Sequence, residues 1–173
     1  VIFAFEGLGS FSGPSNSDHP NGQFGAIFIL YQDGKPQYMS DKCSTLPDNV
    51  GPATIEDGVY YAVYHMHGNE DYRYQALQLW TDGTNSCISA HYHDGGANVR
   101  DAKGINLHTA GNLKDHAAKP WSKGCLTISV ADYYDFGVEA GFIIPRTGDY
   151  TNYQNIKKLS NIDPKLPMGK QWG

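Results

Sequence analysis

Ile105-Asn106-Leu107-His108 and, after a polar loop, Trp121-Ser122-Lys123-Gly124-Cys125-Leu126-Thr127-Ile128 are the two stretches on which the reading of this chain turns. A histidine closes one short apolar run, and a cysteine behind a glycine opens another. Both runs have the length and apolar character of buried strands. A thiol at neutral pH is only a few per cent thiolate, so a nucleophilic cysteine needs a base or a positive field. His108 at a strand end is a rigidly supported candidate for that base, and Cys125 for the nucleophile. Gly124 lets the backbone turn without a Cβ, so the N–H groups of Gly124 and Cys125 can converge on a developing oxyanion. A backbone carbonyl near Thr109 is a candidate acceptor for the Nδ1 proton of His108.

Outward from this pair, the chain reads as mostly β. Twelve Tyr, seven Phe, three Trp and twenty Gly in 173 residues favour strands and turns over a helical bundle. Strands are expected over 24–31 and 36–40 around the Asp33-Gly34 turn, then over 59–67, 74–80, 87–93, 104–108 and 125–128. Residues 44–58 read as turns. Ser129 has the character of an N-cap, with Asp132 in the first turn of a helix over about 130–140 that stops at Gly141. Phe142 to Ile144 reads as a last strand. The expected fold is a twisted sheet or sandwich with one short helix after the cysteine. Residues 1–23 read as a loop or linker, 24–145 as the domain, and 146–173 as a surface-packed or unstructured extension.

The net charge of −5 and the scattered Lys and Arg give no footprint for nucleic acid or an anionic membrane. No apolar run is long enough for a spanning helix. The chain opens at Val1 without Met, as expected of a processed or trimmed fragment, which leaves a removed signal peptide or anchor open. Cys43, Cys87 and Cys125 show no CxxC spacing for a structural zinc. Cys43 and Cys87 either pair in an oxidising compartment or stay reduced.

His108, the polar spacer and Ser122-Lys123-Gly124-Cys125 resemble the signature of the L,D-transpeptidase (YkuD-type) catalytic domain, a His followed by Ser/Thr-His-Gly-Cys. The Asp33-Gly34 hairpin, the Ser44-Thr45 step, the stretch from Pro52 to Tyr60 and the helix ending before Phe142-Ile143-Ile144 extend the resemblance over about residues 24–145. It implies a bacterial, extracytoplasmic enzyme without a cofactor. Such an enzyme acts on peptidoglycan stem peptides through a Cys125 thioester, with His108 as base, and forms 3–3 cross-links. It implies a substrate groove lined by Trp121, Ser122, Lys123, Tyr92 and His93. Two positions depart from the pattern. Lys123 stands where a histidine is usual, and is either a positive charge near the thiol or a solvated side chain on the rim. Thr127 stands where Arg or Asn is common.

Two other readings stand beside this one. Water in place of an acceptor amine makes the same site an L,D-carboxypeptidase or endopeptidase, as in a lysin or effector. His65-Met66-His67 and His91-Tyr92-His93 each present two imidazoles on one strand face, the basis for a non-enzymatic metal-binding or cell-wall-binding module.

Overall fold

The computed structural model describes residues 1–6, 24–45, 53–69, 72–92, 99–110, 124–157, 159 and 171–172. Among them the chain is mostly β. An eight-stranded mixed sheet carries the core, and a three-stranded sheet stands beside it.

The large sheet is assembled around two hairpins. In the first, β2 (Ala26–Gln32) and β3 (Lys35–Ser44) pair antiparallel across Asp33 and Gly34. Those two residues have φ of 51° and 78°, the doubly positive geometry of a type I′ turn, which matches the right-handed twist of paired strands. The second hairpin pairs β5 (Tyr61–Asn69) with β6 (Tyr72–Trp80) in unbroken register from Tyr61↔Trp80 to Asn69↔Tyr72. Between the hairpins lie β9 (Asn106–Thr109) and β10 (Leu126–Ile128). β9 is antiparallel to β6 but parallel to β10, and β10 is antiparallel to β3. Parallel neighbours need a crossover of about a dozen residues or more, and the chain between Thr109 and Leu126 supplies that length. The small sheet runs β4 (Thr54–Ile55), β7 (Ile88–His91) and β8 (Val99–Ala102).

α1 (Val130–Glu139) follows β10 directly. The Ser129 hydroxyl accepts from the Asp132 N–H at 3.3 Å, and Ser40 on β3 donates to the Asp132 carboxylate at 2.6 Å. The cap thus both starts the helix and ties it to the sheet. Gly141, at φ 77°, ends it as expected. The buried face of α1 presents Tyr133, Phe136 and Gly137 to a core of Phe28, Leu30, Cys43, Leu77, Leu107 and Ile128. Tyr38 meets Phe136 edge-on at 5.8 Å.

Four expectations are corrected. Residues 2–6 are not linker: β1 (Ile2–Glu6) pairs along β2 and forms one edge of the large sheet. Within the turn-rich 44–58, Thr54 and Ile55 pair with His91 and Ala90. Phe142 to Ile144 is not a strand. The N–H groups of Phe142 and Ile143 both donate to Gly137 O, so they close the helix terminus instead of joining a ladder, and the two side chains fold under α1. The described part of 146–173 is not merely superficial. α2 (Tyr153–Lys157) buries Ile156, Leu159 is buried beside it in the core, and β11 (Gln171–Trp172) pairs with β5. One apolar residue in a five-residue helix shows no period to read.

Candidate active site

The parallel pairing of β9 and β10 brings Cys125, the residue before β10, to the start of the strand that carries His108. Thr127 is the cross-strand partner of His108, and Leu126 that of Leu107. Side chains alternate along a strand, so Asn106 and His108 share a face with Thr127, while Leu107, Leu126 and Ile128 point into the core behind them. Cys125 sits beside Asn106, whose backbone N–H donates to its sulfur at 3.4 Å. His108 is one diagonal step away. The Cys125 thiol in turn donates toward the Gly104 carbonyl oxygen at 3.7 Å. Cys125 is partly exposed, whereas His108, Asn106 and Thr127 are buried. The Thr127 hydroxyl and Asn106 Oδ1 have no hydrogen-bond partner among the described residues.

His108 Nδ1 lies 2.7 Å from the carbonyl oxygen of Thr109. A carbonyl only accepts, so Nδ1 carries the proton and Nε2 keeps its lone pair. The contact uses the Thr109 backbone; its side chain is buried and bonds Ala110 O at 3.4 Å. Burial, then the neighbouring His67 imidazole, lowers the His108 pKa to about 3, against the favourable Thr109 bond. The ring is therefore neutral at physiological pH and able to accept a proton.

Gly124 is required twice over. Its φ is 123°, where side chains are strained, and a Cβ there would lie 2.8 Å from the Ala53 carbonyl oxygen. Ala53 immediately precedes β4, so the small sheet approaches the nucleophile from this side.

The remaining cysteines are different in kind. None of the three forms a disulfide. Cys43 is buried in β3, donates to Ser40 O at 3.4 Å, and is pushed up to about 12 by desolvation. Cys87 lies before β7 in the other sheet, so the Cys43–Cys87 pairing left open by the sequence does not form.

Trp121, Ser122, Lys123 and His93 lie outside the described residues. Tyr92 is exposed just past β7, on the small sheet rather than on the sheet that carries His108 and Cys125. His91 faces Glu56, with Nδ1 3.3 Å from Oε1. His65 and His67 do share a face of β5, but β5 lies between β6 and β11, not against β7. His91 is thus in the other sheet from His65 and His67, and no group of three His, Cys, Asp or Glu with metal-binding geometry occurs among the described residues.

The composition of the site held one surprise. The His67 ring stacks on His108 at 4.4 Å between centroids and 13° between planes. Burial and the neighbouring His65 lower the His67 pKa to about 4. The His65-x-His67 spacing marked these residues for attention. Their partner across the sheet depends on strand order, which spacing does not carry. No family model, no curated protein and no solved structure matches the chain.

Proposed function

We propose that the chain is a cysteine-dependent acyltransferase of the L,D-transpeptidase type, acting on peptidoglycan stem peptides outside the cytoplasm. One observation carries the reading: a partly exposed thiol is held at the start of β9, two residues along from an imidazole fixed as the Nδ1–H tautomer, behind a glycine that tolerates no side chain. A mixed sheet with a helix directly after the cysteine strand supports the fold assignment.

In this reading Cys125 Sγ attacks the carbonyl carbon that follows the L-centre of the third stem residue, and its proton passes to His108 Nε2. Taken alone, His108 is a weak base because burial disfavours its cation. A thiolate formed beside it supplies the opposite charge that offsets this. The N–H groups of Gly124 and Cys125 take the oxyanion. The C–N bond breaks, His108 returns the proton to the departing amine nitrogen, and a thioester remains. A second stem's amine attacks the thioester, its proton passes through His108 to the leaving sulfur, and the thiol is restored with a 3–3 cross-link formed.

Incubation with tetrapeptide muropeptides followed by mass spectrometry tests this. Cross-linked dimers are expected from the wild-type protein and none from Cys125→Ala. Tripeptides without dimers would assign the same thioester to hydrolysis. Activity that survives Cys125→Ala, or no turnover of any muropeptide, would refute the mechanism.

A further inference from the structure

The face that carries His108 continues across β6 onto β5. β6 sets Leu77 beside Leu107 and Gln78 beside Asn106. Continued by one residue, that register sets Ala76 beside His108. Ala76 is also the cross-strand partner of His65, and Tyr74 that of His67. Ala76 is fully buried and contributes only a methyl, which leaves room above it for two larger rings. His67 leans across this gap and stacks on His108 at 4.4 Å, with planes 13° apart. The His67 ring is met by the Tyr74 ring at 5.6 Å and 72°. Tyr74 is itself held by Tyr133 of α1 at 5.9 Å and Tyr153 of α2 at 6.2 Å. A continuous train of rings therefore runs from the two helices to the imidazole of His108.

The second torsion of a histidine is broad, so its ring plane is set by what it touches. Two contacts set it here. The His67 ring fixes the plane, and the Thr109 carbonyl selects which nitrogen lies inward. A half-turn of the His108 ring would put a carbon against that carbonyl and take Nε2 off its line. Aromatic pairs of this kind contribute roughly 0.5–1.5 kcal/mol beyond their burial, enough to favour one ring orientation by several-fold. The lowered pKa values keep both rings uncharged at neutral pH, so the stack meets no charge repulsion.

We infer that His67 is a positioning residue for the base, a stacking wall that holds the His108 imidazole with Nδ1 on the Thr109 carbonyl and Nε2 available to the thiol. This rests on the acyl-transfer reading for its consequence in rate, but not for the ring orientation itself. Nothing in it requires an imidazole at position 67. A flat ring suffices.

The test joins two readouts on His67→Ala, His67→Gln and His67→Phe. Heteronuclear NMR of the imidazole nitrogens reports the His108 tautomer, and muropeptide turnover reports kcat and KM. Wild-type His108 is expected as the Nδ1–H form. In His67→Ala and His67→Gln it becomes a tautomer mixture, and kcat falls several-fold while KM changes little, as expected for a misoriented base. His67→Phe restores the tautomer and most of the lost rate. An unchanged tautomer and kcat in folded His67→Ala or His67→Gln would overturn the inference. So would a folded His67→Phe that behaves like His67→Gln, because position 67 would then act through its nitrogens. If wild-type protein leaves every muropeptide intact, the functional reading fails. The tautomer readout then decides the positioning role by itself.

Discussion

Lowering the pH from 7 to 5 should destabilise this fold through His67 and His108, and the size of the effect follows from their burial. Both rings are neutral in the folded chain, with pKa values of about 4 and about 3. In the unfolded chain each titrates near 6.5. Between these values the unfolded state binds more protons than the folded one, so stability rises with pH and falls as the solution is acidified. Integrating that proton difference from pH 7 to pH 5 gives about 2 kcal/mol for each histidine, and about 4 kcal/mol as an upper bound for the coupled pair. His65, also lowered by burial and by Arg73, acts in the same direction. Asp82 and Asp149 have carboxyls held below their usual range by hydrogen bonds from Thr84 and Thr151. The stability they contribute is lost only as pH falls through those depressed values, outside this window. Urea unfolding at pH 7, 6 and 5 measures the effect, against a typical total of about 5–15 kcal/mol for a domain. His67→Phe keeps a ring in place but removes one titrating group, so roughly half of the pH dependence should disappear. A wild-type unfolding free energy that is flat from pH 7 to 5 would refute the claim that these imidazoles are buried and neutral.

Three substitutions probe the scaffold around the site. Gly124→Ala puts a Cβ against the Ala53 carbonyl at a φ of 123°; a loss of roughly 1–3 kcal/mol is expected in thermal or urea unfolding, with muropeptide turnover falling as Cys125 shifts. Gly137→Ala sets two effects against each other. Alanine gains about 1 kcal/mol of helix propensity, but its methyl would overlap Ile143 Cγ1 at 2.6 Å and press on Phe142 at 3.0 Å, so net destabilisation of up to about 2 kcal/mol is expected, and a stabilised variant would contradict the packing. Ser129→Ala removes the side-chain acceptor of the Asp132 N–H and should cost about 1 kcal/mol in urea unfolding, with no change in the His108 tautomer.

Much of this architecture is written locally, and local signals are what a sequence displays. Asp33-Gly34 specifies a type I′ turn because both positions accept positive φ, and the hairpin forms there. Ser129, Asp132 and Gly141 bracket α1 by side-chain and backbone chemistry confined to its two ends. The carbonyl of Thr109 meets His108 Nδ1 because the two residues are adjacent in the chain. Gly124 precedes Cys125 and has the backbone geometry that only glycine takes without strain.

What the sequence left undetermined depends on which strands become neighbours. The short apolar strand β1 reads as part of a linker until β2 offers it an edge, and Ile156 and Leu159 read as isolated apolar residues until α2 docks on the core. The two His-x-His pairs look alike along the chain. Strand order sends His65 and His67 to the large sheet with the candidate base, and His91 to the small sheet beside Glu56. The stack of His67 on His108 exists because Ala76 lies between them on β6, a relation among three strands separated by long loops. Turns, caps and tautomers are thus set by neighbours in the chain, whereas the surroundings of the candidate base are set by the order in which the strands of one sheet are packed.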